Sequence, residues 1–510
     1  MGNKEKIFLA IISGIGVAMI LIATHPYGAG LSPDSVGYIA IARNMILRHG
    51  FVSYDGVPSV VWPPLYPALL AFTATIFNKD PLLVASIANA VIFGLIIYFG
   101  GLLFSSYFVS STSFGLLGTL FICFSMPLLN VSIMAWSETL FILFAVLSLL
   151  AGNLYCEKQD KRSLVYFSLL IAFSCLTRYI GVSLILFGAI VILLSRDSNI
   201  KGKFADLSLF VLLSSFPLSV WLLRNYWISN SLFGERTSSA FTLTQNFDFA
   251  LRTLLHWYVP DRLMGYYLVL AIVIAIFLLV LIVRPKGFRL TVKILPRKQR
   301  ILAAFVLTYT MFLIFSSTIT AYDRIDDRLL SPVFVPVTLL LLILVKAIAE
   351  SLLTHNLVRC AKPFMMVALF VLLLHPVRTN IATTLDVARN GRGYHSNVWV
   401  DGELISYLGQ YWASEFDCSP YSNDPWAVYI LLNLQAKEIP RMPIESFSNT
   451  ALDSWQEESN ACLIWFSAVH RENPSINDLR TVLSLDQIVS FKDGAIYTIT
   501  KKGYENSIEK

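Results

Sequence analysis

Charged residues are scarce in this chain. Aspartate, glutamate, lysine and arginine make up 14% of its 510 residues, against about 25% in an average soluble domain. Hydrophobic residues make up 56%. So few charges cannot cover the water-facing surface of a chain this long, which excludes an ordinary soluble globular protein. The composition therefore indicates an integral membrane protein.

The motifs of several common enzyme classes are also missing. The sequence has no GxxxxGK[ST] phosphate loop, no HExxH pair, no CxxC pair and no GxSxG nucleophile elbow. Nucleotide hydrolysis, zinc proteolysis and serine acyl transfer are therefore without support. The basic loop at residues 284–300 is explained by membrane topology and by attraction to anionic lipid, so no nucleic-acid partner is predicted.

Long apolar runs dominate the first three quarters of the chain. Runs of about 17–25 residues can cross the ~30 Å hydrocarbon core as helices. The run at 163–195 is compatible with one long helix, but we interpret it as two short spans hinged near Arg178. With that division, eleven spans are predicted at residues 7–24, 83–105, 113–129, 138–155, 164–177, 180–195, 205–223, 263–283, 301–320, 329–348 and 363–377.

The distribution of basic residues supports this division. On one side of the predicted membrane the loops hold 18 Lys+Arg against 6 Asp+Glu, counted over residues 2–6, 157–162, 196–206, 284–300 and 346–362. The positive-inside rule assigns such loops to the cytoplasm. The N-terminus is therefore predicted to be cytoplasmic, and the polar C-terminal region is predicted to lie on the opposite side.

The sequence pattern of residues 378–510 predicts a small α/β domain, which follows a membrane domain at residues 1–377. The stretch 401–414 has the pattern of an amphipathic helix, whereas 461–467 and 487–500 have the pattern of strands, the second forming a hairpin. Four of the six cysteines fall in or beside predicted spans and are typical of buried small side chains. The other two, Cys418 and Cys462, are disulfide candidates because they lie outside the cytoplasm in this topology.

Asp34 is the most informative ionisable residue near the predicted membrane face. It heads a stretch whose Tyr38, Ala42 and Met45 share one stripe, which predicts an interfacial helix. A carboxylate in this position suits a general base that takes a proton from an acceptor hydroxyl. Helix capping alone would also explain an aspartate at this point of the sequence.

Further acids and arginines are predicted on the same side as Asp34. Two acids facing one cavity can handle an acceptor hydroxyl, while guanidinium groups bind a lipid-borne phosphate in bidentate fashion. Each arginine is also explained by snorkelling at a helix end, and the charges at 322–328 by a solvated turn. The group consists of Asp34, Glu138, Arg178, Arg224, Asp323, Arg324, Asp327 and Arg328.

The order and spacing of these residues resemble the C-type (GT-C) glycosyltransferases. Within that superfamily the chain is similar, over residues 1–380, to the bacterial branch that resembles protein mannosyltransferases and aminoarabinose transferases (glycosyltransferase family 39 and relatives). The resemblance rests on Asp34 and Ser35 with Tyr38 and Ala42 after them, the element 62–67, Ser137 with Glu138, the stretch 176–179 and the stretch 327–332.

This resemblance implies an all-α polytopic membrane fold and a sugar donor carried on polyprenyl phosphate. It implies Asp34 as general base and Glu138 as a second catalytic acid that orients the acceptor or, together with Asp34, a divalent metal. No other cofactor is implied. The residues expected to bind the donor phosphate are Arg324, Arg328, Arg178 and Arg224. Those expected to line the substrate cavity are Tyr38, Arg43, Trp62, Tyr66 and Asp327.

The chain departs from the aminoarabinose-transferase pattern just before its diproline. Val61 and Trp62 stand where those enzymes have an acidic and a basic residue that help to bind metal and lipid phosphate. This difference counts against a matching metal site and against that particular donor.

The resemblance implies a multi-pass enzyme of the bacterial inner membrane. Such an enzyme would move a sugar, with inversion, onto a hydroxyl of a lipid-linked or surface glycan at the periplasmic face. Two alternatives remain at this stage. One is a polysaccharide polymerase or ligase. The other is a transporter or flippase for lipid-linked sugars, which many spans with buried charges also describe.

Overall fold

A computed structural model describes residues 2–109, 111–195, 200–258, 296–354, 361–439, 460–467 and 475–500, together with residues 265 and 469. Contacts between Cα atoms divide the chain into two compact units. The first, called here the membrane unit, comprises Met1–Pro26 and Ser59–Arg389. The second, called the sheet unit, comprises Tyr27–Pro58 and Asn390–Lys510.

The membrane unit is built from helices. Helix α1 packs against α4, α7 against α4 and α8, and α9 and α10 against α8. Large apolar side chains remain exposed on these helices, as expected for surfaces that face lipid. The helices are α1 (Asn3–Thr24), α3 (Leu65–Phe77), α4 (Pro81–Tyr107), α5 (Thr112–Cys123), α6 (Met126–Ser132), α7 (Glu138–Lys158), α8 (Lys161–Thr177), α9 (Val182–Ser195), α10 (Ile200–Ser229), α11 (Leu243–His256), α12 (Arg297–Ile319), α13 (Asp327–Leu330), α14 (Phe334–Thr354) and α15 (Ala361–Asn390).

The predicted count of eleven membrane-spanning helices is only partly matched among the described residues. Among the described residues, six helices are long and apolar enough to cross a membrane, or seven if the bent pair α5 and α6 forms one span. The predicted spans at 164–177 and 180–195 form helices of 17 and 14 residues, shorter than the ~20 residues that a crossing requires. The predicted span at 263–283 lies outside the described residues. Eleven spans are therefore not confirmed.

The predicted division of the run at 163–195 is confirmed. Helix α8 ends at Thr177, Arg178 is extended (φ −149°, ψ 138°), and a 3-10 turn leads into α9. Gly181 closes this turn so tightly that a Cβ atom would lie 2.7 Å from backbone atoms of Cys175 and Ser174. The turn therefore requires glycine, and the break leaves Arg178 between two helix ends.

The sheet unit contains a five-stranded mixed sheet with the order β2-β1-β3-β5-β4. Strand β1 pairs in parallel with β2 and β3, whereas β5 pairs antiparallel with β3 and β4. The strands are β1 (Ser419–Ser422), β2 (Lys437–Glu438), β3 (Ala461–Phe466), β4 (Ser484–Ser490) and β5 (Gly494–Thr500). The helices are α2 (Pro33–Ile46), α16 (Asn397–Val400), α17 (Glu403–Glu415), α18 (Pro425–Leu432) and α19 (Ile476–Val482).

The helix predicted at 401–414, the strand at 461–467 and the terminal hairpin correspond to α17, β3 and the β4–β5 pair. A small apolar core supports one side of the sheet, with Tyr421, Leu463, Leu479, Ala495 and Tyr497 among its buried members. Cys418 and Cys462 form a disulfide, with Cα atoms 5.8 Å apart, beside the pairing of β1 with β3.

Removal of this disulfide is expected to destabilise the sheet unit. Replacing both Cys418 and Cys462 by serine should lower the free energy of unfolding by about 2–4 kcal/mol, because the unfolded chain regains the entropy of an open loop. Denaturant unfolding of the purified protein measures this. A reductant should lower the denaturant concentration at the unfolding midpoint of the wild type and leave the midpoint of the double variant unchanged. Equal midpoints for the oxidised wild type and the double variant would contradict the expectation.

Candidate active site

Glu138 is the first residue of α7 and is 1% exposed. Its Oε1 lies 2.6 Å from Nη1 of Arg178 and 2.5 Å from Nε of Arg328. The side chains of these arginines are 19% and 14% exposed. One carboxylate thus faces two guanidinium groups, and the three residues, called here the Glu138 cluster, carry one net positive charge.

Three separate elements bring the Glu138 cluster together. Glu138 begins α7, Arg178 lies at the break after α8, and Arg328 lies in the first turn of α13. The carboxylate of Asp326 caps α13 by accepting hydrogen bonds from the amides of Arg328 and Leu329. The guanidinium of Arg328 also stacks over Trp136, with Cζ 4.2 Å from the ring centroid. The position of each charged group is therefore set by the element that carries it: the start of α7, the break after α8, or the first turn of α13.

The two carboxylate oxygens of Glu138 differ. Oε1 accepts hydrogen bonds from both arginines. Oε2 is buried and has no hydrogen-bond partner among the described residues. Leaving a buried polar atom unpaired costs on the order of 1–3 kcal/mol, so such atoms are uncommon. Oε2 is consequently the atom of the cluster that can still accept a hydrogen bond.

Arg224, on α10, holds the backbone that leads to the diproline. Its Nη1 donates to the carbonyl of Ser59 at 2.6 Å, and its Cζ lies 4.6 Å from the ring centroid of Trp221. The side-chain amide of Asn225 and the hydroxyl of Tyr179 donate to the next carbonyl, at residue 60. This guanidinium therefore has a structural partner in the membrane unit.

The remaining candidates of the membrane unit make contacts of their own. Tyr66 is fully buried and its hydroxyl donates to Asn89, while Trp62 is half-buried. Asp327 accepts a hydrogen bond from the indole of Trp257 at 2.8 Å. Arg324 is exposed, with Cζ 4.3 Å from the centroid of the Phe249 ring.

Asp34 is the second residue of α2 in the sheet unit, and it is half-buried. The cap of this helix is Ser32, which forms a reciprocal capping box with Ser35. Capping therefore does not require the Asp34 carboxylate. An acidic side chain in the first turn nevertheless complements the helix dipole and helps to stabilise α2.

The other candidates on α2 are more deeply placed than the sequence predicted. We expected one buried stripe, but every residue from 35 to 42 is buried, including Tyr38 at 3% exposure. Arg43 is half-buried, and its Cζ lies 5.6 Å from the ring centroid of Tyr429 on α18. The centre of α2, residues 35–42, is thus buried and does not expose one face, whereas the two ends of the helix are partly exposed.

Comparison with known proteins identifies the fold. No family model and no curated protein matches the chain. The crystal structure of ArnT from Cupriavidus metallidurans in the apo state matches with a TM-score of 0.60 and 12% identity, over 96% of this chain and 97% of that one. ArnT bound to undecaprenyl phosphate matches with a TM-score of 0.59 over the same shares. This chain has the GT-C glycosyltransferase fold.

A second solved GT-C structure is also similar. The archaeal oligosaccharyltransferase AglB from Archaeoglobus fulgidus, in complex with an inhibitory peptide and a dolichol-phosphate, matches with a TM-score of 0.50 and 13% identity. The alignment covers 91% of this chain and 70% of AglB. The resemblance inferred from the sequence is therefore confirmed at the level of the fold, including the multi-pass membrane architecture.

The GT-C fold of this chain offers no evident metal site in the part that the structure describes. No group of three or more histidine, cysteine, aspartate or glutamate side chains is arranged there to hold an ion. Glu138 already faces two guanidinium groups, which would repel a divalent cation. Glu138 as arranged therefore does not fit the role of a metal ligand.

Sequence reasoning named the members of the Glu138 cluster without predicting that they pair. It missed Asn225 and Tyr179, which hold the backbone at residue 60. Both follow a candidate arginine directly in the sequence, Arg224 and Arg178, and that adjacency was the available signal.

Loss of the Arg224 guanidinium is expected to loosen the segment before the diproline. Arg224→Gln removes a charge-assisted hydrogen bond of about 1.5–3 kcal/mol, so amide exchange at residues 59–62 should accelerate about tenfold or more. Hydrogen–deuterium exchange measures this. The matched control is Arg236→Gln, because Arg236 is exposed and its hydrogen bond to Val61 is longer, at 3.4 Å. Equal exchange in the two variants would refute the structural role of Arg224.

Proposed function

We propose that this protein transfers a sugar from a polyprenyl-phosphate donor to a hydroxyl of a lipid-linked or surface glycan. The reaction would take place at the periplasmic face of a bacterial inner membrane, with inversion at the sugar. The observation that carries this proposal is the fold match over 96% of the chain to ArnT, one of whose structures holds undecaprenyl phosphate. The apolar helices place the protein in the medium where a polyprenyl tail dissolves.

Asp34 is the proposed general base. Its carboxylate takes the proton of the acceptor hydroxyl, the hydroxyl oxygen forms a bond to the anomeric carbon, and the phosphate leaves with the electron pair of the broken C–O bond. Such assistance contributes about 10²- to 10⁴-fold to the rate. The half-buried position of Asp34 in the first turn of α2, next to the helix cap Ser32, supports this role.

The Glu138 cluster is the proposed anchor for the charged parts of the reaction. Its two guanidinium groups favour an anionic donor, because arginine side chains bind phosphate in bidentate fashion. Asp323 also contacts this cluster, with Oδ2 3.4 Å from Nη1 of Arg328. The role of Glu138 in orienting the acceptor stays a prediction; its observed contacts hold Arg178 and Arg328. Arg324 is a further candidate for the phosphate because it is exposed, whereas Arg224 is better explained by its hold on Ser59.

The substrate-cavity assignment stays a prediction for Tyr38, Arg43, Trp62, Tyr66 and Asp327. Burial of Tyr38 and Tyr66 favours a supporting role for these two rings over direct contact with sugar.

Glycan analysis of a deletion strain tests the proposed function. Mass spectrometry of lipid-linked glycans and surface polysaccharide should find one sugar unit missing from a finished glycan, with the unused polyprenyl-phosphate sugar accumulating. Accumulation of complete but unpolymerised repeats would indicate a polymerase or ligase instead. Retention of the lipid-linked sugar on the cytoplasmic side would indicate a transporter.

A further inference from the structure

The segment before α2 is tied to the start of the C-terminal part of the sheet unit. The amide of Leu31 donates to the carbonyl of Arg392 at 3.2 Å, and the amide of Tyr394 donates to the carbonyl of Leu31 at 3.0 Å. These two hydrogen bonds form an isolated parallel bridge between Leu31 and Gly393, called here the Leu31 bridge. Because Leu31 directly precedes the helix cap Ser32, this bridge fixes the point where α2 begins.

Gly393 makes the close approach possible. Its φ is +61°, and a Cβ atom at this position would lie 1.8 Å from the carbonyl oxygen of Leu31. Any side chain would therefore force the two strands of the bridge apart.

Tyr394 connects the Leu31 bridge to the interior of the sheet unit. Its hydroxyl lies 2.8 and 2.9 Å from the two carboxylate oxygens of Asp424, which is 1% exposed. The same carboxylate caps α18 by accepting from the amide of Ala427. Helix α18 packs directly against α2. One buried carboxylate thus fixes both the bridge and the helix that supports α2.

Two further contacts, one before α2 and one after it, hold the chain around this helix to the C-terminal part of the sheet unit. The imidazole Nδ1 of His395 lies 2.9 Å from the carbonyl oxygen of Ala29. A carbonyl only accepts, so Nδ1 carries the hydrogen, and burial lowers the pKa of His395, which favours the neutral ring. The ring of Tyr54 stands edge-on to Trp426 of α18 at 4.5 Å between centroids.

We propose that Gly393, Tyr394 and Asp424 are positioning residues that set the place and direction of α2, and with them the reach of the Asp34 carboxylate. The sheet unit is then part of the catalytic machinery of this enzyme and not an accessory cap. Catalysis is sensitive to such placement, because a displacement of about 1 Å far from the reacting atoms can cost 10²-fold in rate. This inference rests on the proposed function.

The test compares two alanine substitutions at glycines with positive φ. Gly393→Ala introduces both backbone strain and the collision with Leu31. Gly50→Ala, in the same unit, introduces the strain alone, because nothing lies within 4 Å of its Cβ position at φ +87°. We expect Gly393→Ala to lower kcat by about 10²-fold with KM for the donor within about threefold. Gly50→Ala should remain near wild type.

Tyr394→Phe provides a second variant that keeps the ring and the backbone bridge. It should lower kcat by about tenfold and accelerate amide exchange across Pro33–Ile46, while the amides of Glu403–Glu415 keep their protection. This exchange pattern separates displacement of α2 from unfolding of the unit. Asp424→Asn keeps an acceptor oxygen for the Tyr394 hydroxyl, so its kcat should fall less than that of Tyr394→Phe.

Normal kcat in Gly393→Ala and Tyr394→Phe, in spite of faster exchange in α2, would overturn the positioning role. So would equal losses of kcat in Gly393→Ala and Gly50→Ala. Asp34→Asn, assayed in parallel, keeps the two proposals apart. If Asp34→Asn is inactive and the positioning variants are normal, only this inference fails. If Asp34→Asn is active, the proposed role of Asp34 fails, and this inference fails with it.

Discussion

Replacement of Asp34 by asparagine is expected to lower sugar transfer by about 10²- to 10⁴-fold, the contribution of a general base. The amide has nearly the same size and can still accept a hydrogen bond, but it cannot take up the proton of the acceptor hydroxyl. The half-buried position and the separate capping box indicate that α2 will form without the charge. Amounts of protein in the membrane and donor binding should therefore be unchanged.

The measurement is the return of the finished glycan in a deletion strain that expresses each variant, together with turnover of purified protein. Asp55→Asn is the matched control, because Asp55 lies in the same segment of the sheet unit, is exposed, and accepts only a local amide hydrogen bond from Val57. Asp55→Asn should restore the glycan. Near-normal turnover of Asp34→Asn would remove Asp34 from the mechanism.

Replacement of Glu138 by glutamine should destabilise the membrane unit by about 3–5 kcal/mol, the usual cost of breaking a buried ion pair from one side. The substitution leaves the guanidinium groups of Arg178 and Arg328 largely buried beside a neutral amide. Thermal unfolding in detergent measures the effect. Transfer should fall as well, since both arginines lose the group that orients them.

Glu157→Gln is the matched control for this experiment. Glu157 lies on the same helix, α7, and pairs with Lys298 at 2.8 Å, but its side chain is 57% exposed. An exposed pair contributes only about 0–1 kcal/mol, so this variant should unfold close to wild type. The double variant Glu138→Gln with Arg328→Gln should recover part of the lost stability. Equal shifts for the two single variants would show that the Glu138 cluster is no more than a surface pair.

Local sequence patterns predicted the helices better than they predicted the contacts between distant residues. Continuous apolar runs located α1, α4 and α7, because a helix in lipid satisfies its own backbone and needs no partner. The ion pair between Glu138 and Arg328 joins residues 190 positions apart, and no periodicity along the chain reports such a contact. The predicted count of eleven spans is not confirmed, because apolarity identifies a helix, whereas a crossing also depends on its length.

The candidate base was predicted as a residue and as part of a helix, but its surroundings were not. The stripe with Tyr38 and Ala42 suggested a helix with one solvated side. In the structure, α18, which follows position 390 in the sequence, packs against α2, and the centre of this 14-residue helix is buried. The hydrophobic pattern within residues 34–48 carries no information about contacts with residues that are distant in the sequence.

The composition of the sheet unit has a consequence for biosynthesis. Its segment Tyr27–Pro58 is translated before the helices of the membrane unit that follow it, whereas its partners in the sheet unit belong to Asn390–Lys510. Closing so large a loop is slow, so this segment waits for those partners while the intervening helices are made. A chain that stops before residue 390 therefore lacks the groups that hold Ala29, Leu31 and Tyr54 in the complete unit.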